Sequence, residues 1–352
     1  MGVSQFPKIE ITFSPAWWAS KYGMDFSSAD AWQDPILYTE RDRVQRRLLF
    51  ERFGEVGLGE ADPQPNPLVG VEFGHRFMSA FWGCKVLYLP GQWPHATPLP
   101  DASRRLASLE VSEFENNPAV RLALRNARIL EERYGRVQAA VNFGGPLNNA
   151  VSVLGEAIFE ACAADPDLAQ RILYRMGEAV LQVHDRLECL VNRVSLGQER
   201  QRNWGIGNCP VGQISPAMYQ EVVLPVDLWF RRAFKGSDFA LHHCGIFHPY
   251  TSVYQALEPT DLDVGPGSDL RRTRLAYPRA RISTYIEPSQ FARLGQAQVD
   301  ACVTQILVDT APVELITYIR AIEVGPELSD EAVRLLMTVH ERLQVSPGGK
   351  EL

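Results

Sequence analysis

The chain has 352 residues, 45% of them hydrophobic, and a formal net charge of −7. That length suits one large α/β domain with a sizeable core. The acidic balance and the lack of any long basic run exclude nucleic acid and an anionic membrane surface as main partners, leaving small molecules or another protein.

Taken in chain order, residues 1–110 look irregular, with a proline cluster at Pro63, Pro65 and Pro67. One amphipathic helix is predicted from Tyr38 to Phe53, ending near Gly54, and Cys84–Leu89 reads as a short strand. The pattern then becomes regular. Strands are predicted at 137–141, 203–207, 239–241, 261–264, 281–285 and 315–319. Helices are predicted at 147–163, from Asp165-Pro166 to about Val194, and at 215–233, 248–257, 268–277, 296–308 and 329–343. Strand-then-helix repetition implies parallel strands with crossover helices. The expected fold is a (β/α)8 TIM-type barrel, with residues 1–65 as an irregular N-terminal extension packed on a barrel formed by 66–352.

Six cysteines, Cys84, Cys162, Cys189, Cys209, Cys244 and Cys302, form no CxxC pair. No secretory apolar region and no run of membrane-spanning length is seen, so a cytoplasmic protein with reduced thiols is expected. Cys84, Cys162, Cys189 and Cys302 read as small core residues.

The unusual residues fall at strand ends. Asn208 and Cys209 follow one strand and His242, His243 and Cys244 the next. Asp263 ends another, then Tyr285, and Arg320 and Glu323 the last. In a parallel barrel these ends open on one catalytic face. Alternate residues leaving a strand point the same way, so His242 and Cys244 can face one site. Imidazole and thiolate are standard zinc ligands. A third ligand must come from another strand end, with Cys209 and Glu323 as candidates. Asp263, Tyr285 and Arg320 are candidates for orienting substrate or moving protons. Asn208, His243, Ser268 and Asp269 are candidate substrate contacts. The arginines at 271, 272, 274, 279 and 281 read as a solvated helix face, with an anion site as the alternative. His75, His95, Trp17, Trp18, Trp82 and Trp93 read as structural.

Several segments together resemble the uroporphyrinogen decarboxylase superfamily, which includes the cobalamin- and coenzyme M-linked methyltransferases. They are Gly144-Gly145-Pro146, Asp165-Pro166-Asp167-Leu168, Ile214-Ser215-Pro216-Ala217-Met218-Tyr219, Leu241-His242-His243-Cys244-Gly245 and Glu323-Val324-Gly325-Pro326-Glu327. The resemblance covers roughly residues 66–343 and is nearest an uncharacterised subgroup with Asn-Cys, His-X-Cys-Gly and a Ser-Asp pair. In the methyltransferase branch a His-X-Cys pair and a later cysteine bind zinc. His242 and Cys244 match the pair, but the later cysteine falls at Ile322. The resemblance implies a zinc-dependent methyltransferase moving a methyl group between a small-molecule donor and a thiol or a corrinoid carried by a partner protein. A second copy of the chain is a further candidate partner. The alternatives are a metal-free decarboxylase-like lyase acting on a polycarboxylated molecule and a non-catalytic barrel in a methyl-transfer complex.

Overall fold

The computed structural model describes residues 6–106, 114–142, 144–188, 191, 204–233, 238–287, 291–292 and 294–343. Six strands form one all-parallel sheet: β1 (Lys8–Phe13), β6 (Trp204–Gly207), β7 (Phe239–His243), β8 (Asp261–Val264), β9 (Arg281–Tyr285) and β10 (Ile316–Val324), in the order β1-β10-β9-β8-β7-β6. A parallel pair, β2 (Leu68–Val69) and β5 (Gln138–Ala139), comes between β1 and β6 in the chain. A small antiparallel pair, β3 (Val86–Leu87) and β4 (His95–Ala96), is inserted before β5. Without that insertion the parallel strands follow one another in chain order, with the last beside the first. This is the strand order of a (β/α)8 barrel. The turn after β5 reaches β6 through Gly145 N to Gly207 O at 3.1 Å. A Cβ on Gly145 would stand 2.7 Å from Gly207 O, so only glycine permits this approach.

The first 65 residues are a correction. β1 lies inside the stretch read as an extension, yet it pairs with β10 in register from Lys8↔Tyr318 to Phe13↔Val324. Its sequence, Lys-Ile-Glu-Ile-Thr-Phe, carries the strict period-two alternation of a half-buried strand. Behind it, Phe13, Trp17, Trp18 and Phe53 form a buried aromatic cluster, with Phe13 and Trp17 ring centres 4.1 Å apart. The helix predicted from Tyr38 begins at Pro35, because Asp34 caps it by accepting from Ile36 N and Leu37 N.

Other boundaries moved for local reasons. The helix expected over 147–163 breaks at Gly155 (φ 63°) into Pro146–Leu154 and Ala157–Ala164. The helix after Asp165-Pro166 runs to Val183 and then widens into a π-helical turn, His184–Glu188; most of its expected end, with Cys189, lies outside the described residues. β7 and β10 extend two and five residues beyond their predicted ends, to His243 and Val324. No helix among the described residues is long and apolar enough to cross a membrane.

The arginine cluster is divided. Arg274 is buried, and its guanidinium donates to the carbonyls of Thr310, Tyr277, Ala280 and Leu315, tying β9 to the entry of β10. Arg281 pairs with Asp261 at 2.6 Å and Asp238 at 3.4 Å. Arg274 is therefore no part of a solvated face, whereas Arg281 stays exposed. Arg274→Met keeps the aliphatic stem but strands several buried carbonyls, and is expected to destabilise the protein by about 3 kcal/mol in chemical denaturation. An unchanged unfolding midpoint would contradict the clamp.

Candidate metal centre

The site begins with strand alternation. On β7, Phe239, Leu241 and His243 are buried on the outer side, while Ala240 and His242 line the barrel lumen. The register places His242 between Gly207 on β6 and Asp263 on β8. Cys209 opens the 3-10 turn that follows β6, and Cys244 follows β7 directly. His242 Nε2 lies 2.8 Å from Cys244 Sγ, and Cys244 Sγ lies 2.8 Å from Cys209 Sγ. The three ligand atoms all fall within 4.8 Å of one another. Gly265 allows β8 to end against this loop, since a Cβ there would meet Cys244 O at 2.1 Å.

The donor set fits a zinc-like ion. Two sulfurs and one imidazole nitrogen are soft to borderline ligands, and three protein ligands leave a position open for substrate. A tetrahedral zinc with bonds of about 2.3 Å to sulfur holds two sulfurs about 3.7 Å apart, so the thiols part by about 1 Å to admit it.

The second layer strengthens that fit. His242 Nδ1 bonds Asp263 Oδ2 at 2.8 Å, which leaves Nε2 for the sulfurs and any metal. The same oxygen accepts from Tyr285 Oη at 2.6 Å and from Arg320 Nη1 at 2.8 Å. Arg320 in turn donates from Nε to Glu10 Oε2 at 2.6 Å, so β1 buttresses the site. Burial opposes ionisation of Asp263, but His242, Tyr285 and Arg320 hold its carboxyl below the usual range. Burial alone would lower the pKa of His242; the bond to Asp263 and the nearby Cys209 sulfur push it up to about 10. The hydrogen bond between the thiols lowers the pKa of Cys209 and raises that of Cys244.

No protein-family model matches the chain, and no curated protein matches it by sequence. Solved structures do match. The chain has the fold of a methyltransferase. That protein, a methyltransferase from Methanosarcina mazei, superposes with a TM-score of 0.64 at 14% identity, over 97% of this chain and 95% of that one. A B12-independent methionine synthase from Shewanella sp. W3-18-1, in complex with selenomethionine, aligns over 97% of this chain and 96% of that one at 11% identity and TM-score 0.48. The methyltransferase likeness is one of fold, and it agrees with the barrel expected from the strand-and-helix pattern.

The remaining residues sort by position. Ile11↔Ala321 and Phe13↔Val324 show that β10 carries an extra residue at Ile322–Glu323, a bulge at which Glu323 takes φ 56°. Ile322 lines a cavity of about 610 Å³ with His242, Cys244 and Tyr285. Glu323 lines it too but lies outside the three-ligand cluster, so of the two candidate third ligands the geometry brings in Cys209. A deeper cavity of about 710 Å³ runs down the lumen past Asp263 and Arg320, where Gly205, Gly207 and Ala240 leave space.

None of the four expected substrate contacts lines either of these two cavities. Asn208 is fully buried and donates to Asp227 Oδ2 at 2.8 Å, supporting the backbone beside Cys209. His243 faces outward, fully buried, with Nδ1 2.9 Å from the Tyr254 hydroxyl; burial holds its pKa down at about 4. Ser268 accepts from Phe247 N at 2.9 Å and secures the loop after Cys244. Asp269 caps the helix Leu270–Ala276 through Arg272 N at 2.8 Å. Sequence reasoning missed Glu10, Asp227, Asn142 and His75. Asn142 Nδ2 lies 3.1 Å from His75 Nδ1, and both line the mouth cavity. Nothing local marks them, because their partners are distant in sequence.

Asp227 yields a pH prediction. It is fully buried and accepts from Asn208 and from Tyr219 Oη at 2.7 Å; burial nonetheless raises its pKa to about 6. The raised value means its stabilisation is complete below the unfolded value of about 3.9 and is lost as pH rises through about 6. Relative to Asp227→Asn, the wild type is expected to lose about 3 kcal/mol of unfolding free energy across that window. Parallel pH profiles for the two proteins would contradict this.

Proposed function

We propose that the protein is an enzyme that transfers a methyl group between a small-molecule donor and a thiol or corrinoid acceptor, with zinc held by Cys209, His242 and Cys244. The observation that carries this reading is the anchored imidazole: Asp263 fixes Nδ1 while Nε2 faces two convergent sulfurs. Zinc bound there would supply Lewis acidity, favouring the thiolate form of a sulfur substrate at neutral pH.

The chain's own residues do the rest. Cys209 and Cys244 bring negative charge to the mouth, and Asp263 keeps a proton on His242 Nδ1. Tyr285 holds its hydroxyl proton against Asp263, since burial and that carboxylate push its pKa well up. Arg320 and Glu10 fix the carboxylate in place. Ile322 presents an apolar wall beside the ligands. In the thiol case, the acceptor gives up its proton to solvent, its sulfur electron pair forms the new S–CH3 bond, and the bond between the methyl and the donor's leaving group breaks, its electron pair departing with the leaving group. A reducing cytoplasm suits the unpaired thiols.

Two observations weigh against the alternatives. Arg320, Arg274 and Arg281 are already engaged by carboxylates or carbonyls, which weighs against their use by a decarboxylase-like site. Cys209 stands beside His242 and Cys244 where it could replace the sulfur missing at Ile322, which weighs against a non-catalytic barrel. The test is zinc-loaded protein incubated with isotope-labelled methyl donors and with thiol or corrinoid-protein acceptors, read by mass spectrometry. Methylated acceptor with wild type and none with His242→Ala is expected. Turnover that survives both this substitution and a strong chelator would sink the proposal.

A further inference from the structure

A third cavity, of about 430 Å³, lies between β1, the helix Pro35–Phe53 and the end of β10. It shares His75, Ile322 and Glu323 with the mouth cavity over the ligand cluster, so the two adjoin. Its walls include Trp32, Tyr38 and Trp93, residues with no part in the metal centre. Arg41 is set into these aromatics, with its guanidinium carbon 4.7 Å from the Phe26 ring centre and 5.0 Å from those of Trp32 and Tyr38.

Arg41 has an unusual hydrogen-bond balance. Its one hydrogen bond among the described residues goes to the Ala31 carbonyl, and it has no carboxylate partner there. Asp42 lines the same cavity, but Arg46 holds that carboxylate at 2.9 Å. Burial lowers the pKa of Arg41, and the nearby Tyr38 and Asp42 offset that only in part. One turn on, Gln45 lines the same cavity with its amide unengaged among the described residues. Trp93 adds a buried Nε1–H with no acceptor among the described residues. A cavity with aromatic walls and surplus donors is suited to a planar anion. The negative charge in the cavity not already paired, Glu323, stands on the side shared with the ligand cluster.

We infer that Arg41, assisted by Gln45, binds the carboxylate of a substrate whose reactive end lies at the Cys209–His242–Cys244 cluster. This rests on the proposed function for the reactive end and adds the substrate class: a carboxylate-bearing small molecule.

Isothermal titration of zinc-loaded protein tests it, using mercaptopropionate and mercaptohexanoate against the corresponding mercapto alcohols. At least one acid is expected to bind about tenfold more tightly than its alcohol. Arg41→Gln should bring the pair within about twofold, with the alcohol's affinity and the zinc content unchanged, and Arg41→Lys should fall between. Because Arg41 also packs on three rings, thermal unfolding of each variant is recorded; if Arg41→Gln is unfolded, the wild-type and Arg41→Lys titrations decide. Equal binding of acid and alcohol by the wild type, or a preference that survives in folded Arg41→Gln, overturns the inference. Propionate and hexanoate, against propanol and hexanol, give an arm independent of metal. A carboxylate preference there in protein that binds no zinc would remove the metal reading and leave Arg41's role standing.

Discussion

Replacing His242 with alanine, or either Cys209 or Cys244 with serine, is expected to reduce bound zinc from about one atom per chain to under about one tenth of that. The size of the effect follows from the small ligand set. With only three protein donors, removing one leaves two, and two donors do not hold zinc against dialysis. Asp263→Asn should act differently. It leaves all three ligands but weakens the anchor on Nδ1, so affinity should fall about 10- to 100-fold while metal still binds at high zinc. Elemental analysis after dialysis separates the two outcomes. Full occupancy in any of the three ligand variants would contradict the assignment.

The second large effect concerns Ile322. It lines the same cavity wall as His242 and Cys244, on the bulge that ends β10. A sulfur placed there approaches the cluster from the side opposite in chain order to Cys209: β10 in place of β6. Cys209→Ser should lose the metal, and Cys209→Ser combined with Ile322→Cys is expected to recover at least about half of it, restoring a two-sulfur, one-nitrogen set. Ile322→Cys alone should bind zinc more tightly than the wild type. A double variant as empty as the single one would show that position 322 cannot present a ligand.

The gathering of Cys209, His242 and Cys244 at neighbouring strand ends was legible in the sequence. Alternation within Phe239–His243 places His242 and His243 on opposite faces, a consequence that appears only once the strand is known to run through both. With the strand ended at Leu241, His243 looked like a second site residue. It instead packs against Tyr254 behind the barrel. Asn208, Ser268 and Asp269 lie next to site residues in sequence but turn into the fold, where polar groups need partners as much as ligands do. The choice between Cys209 and Glu323 depended on lateral strand packing and on a bulge, neither of which leaves a local signature. β1 did carry its own signal, in six alternating residues, but the tryptophans and prolines after it made the whole segment look irregular. Trp93 and Trp18 line a cavity for a similar reason: an aromatic residue has the same local pattern in a core as on a ligand wall.

Zinc K-edge X-ray absorption on the purified, dialysed protein addresses the metal centre most directly. A first shell of two sulfurs at about 2.3 Å and one imidazole nitrogen at about 2.0 Å, with a light atom in the remaining position, is the expected result. One sulfur should disappear in Cys209→Ser reloaded at high zinc. Protein that binds no zinc, or a shell indifferent to Cys209 and His242, would contradict it.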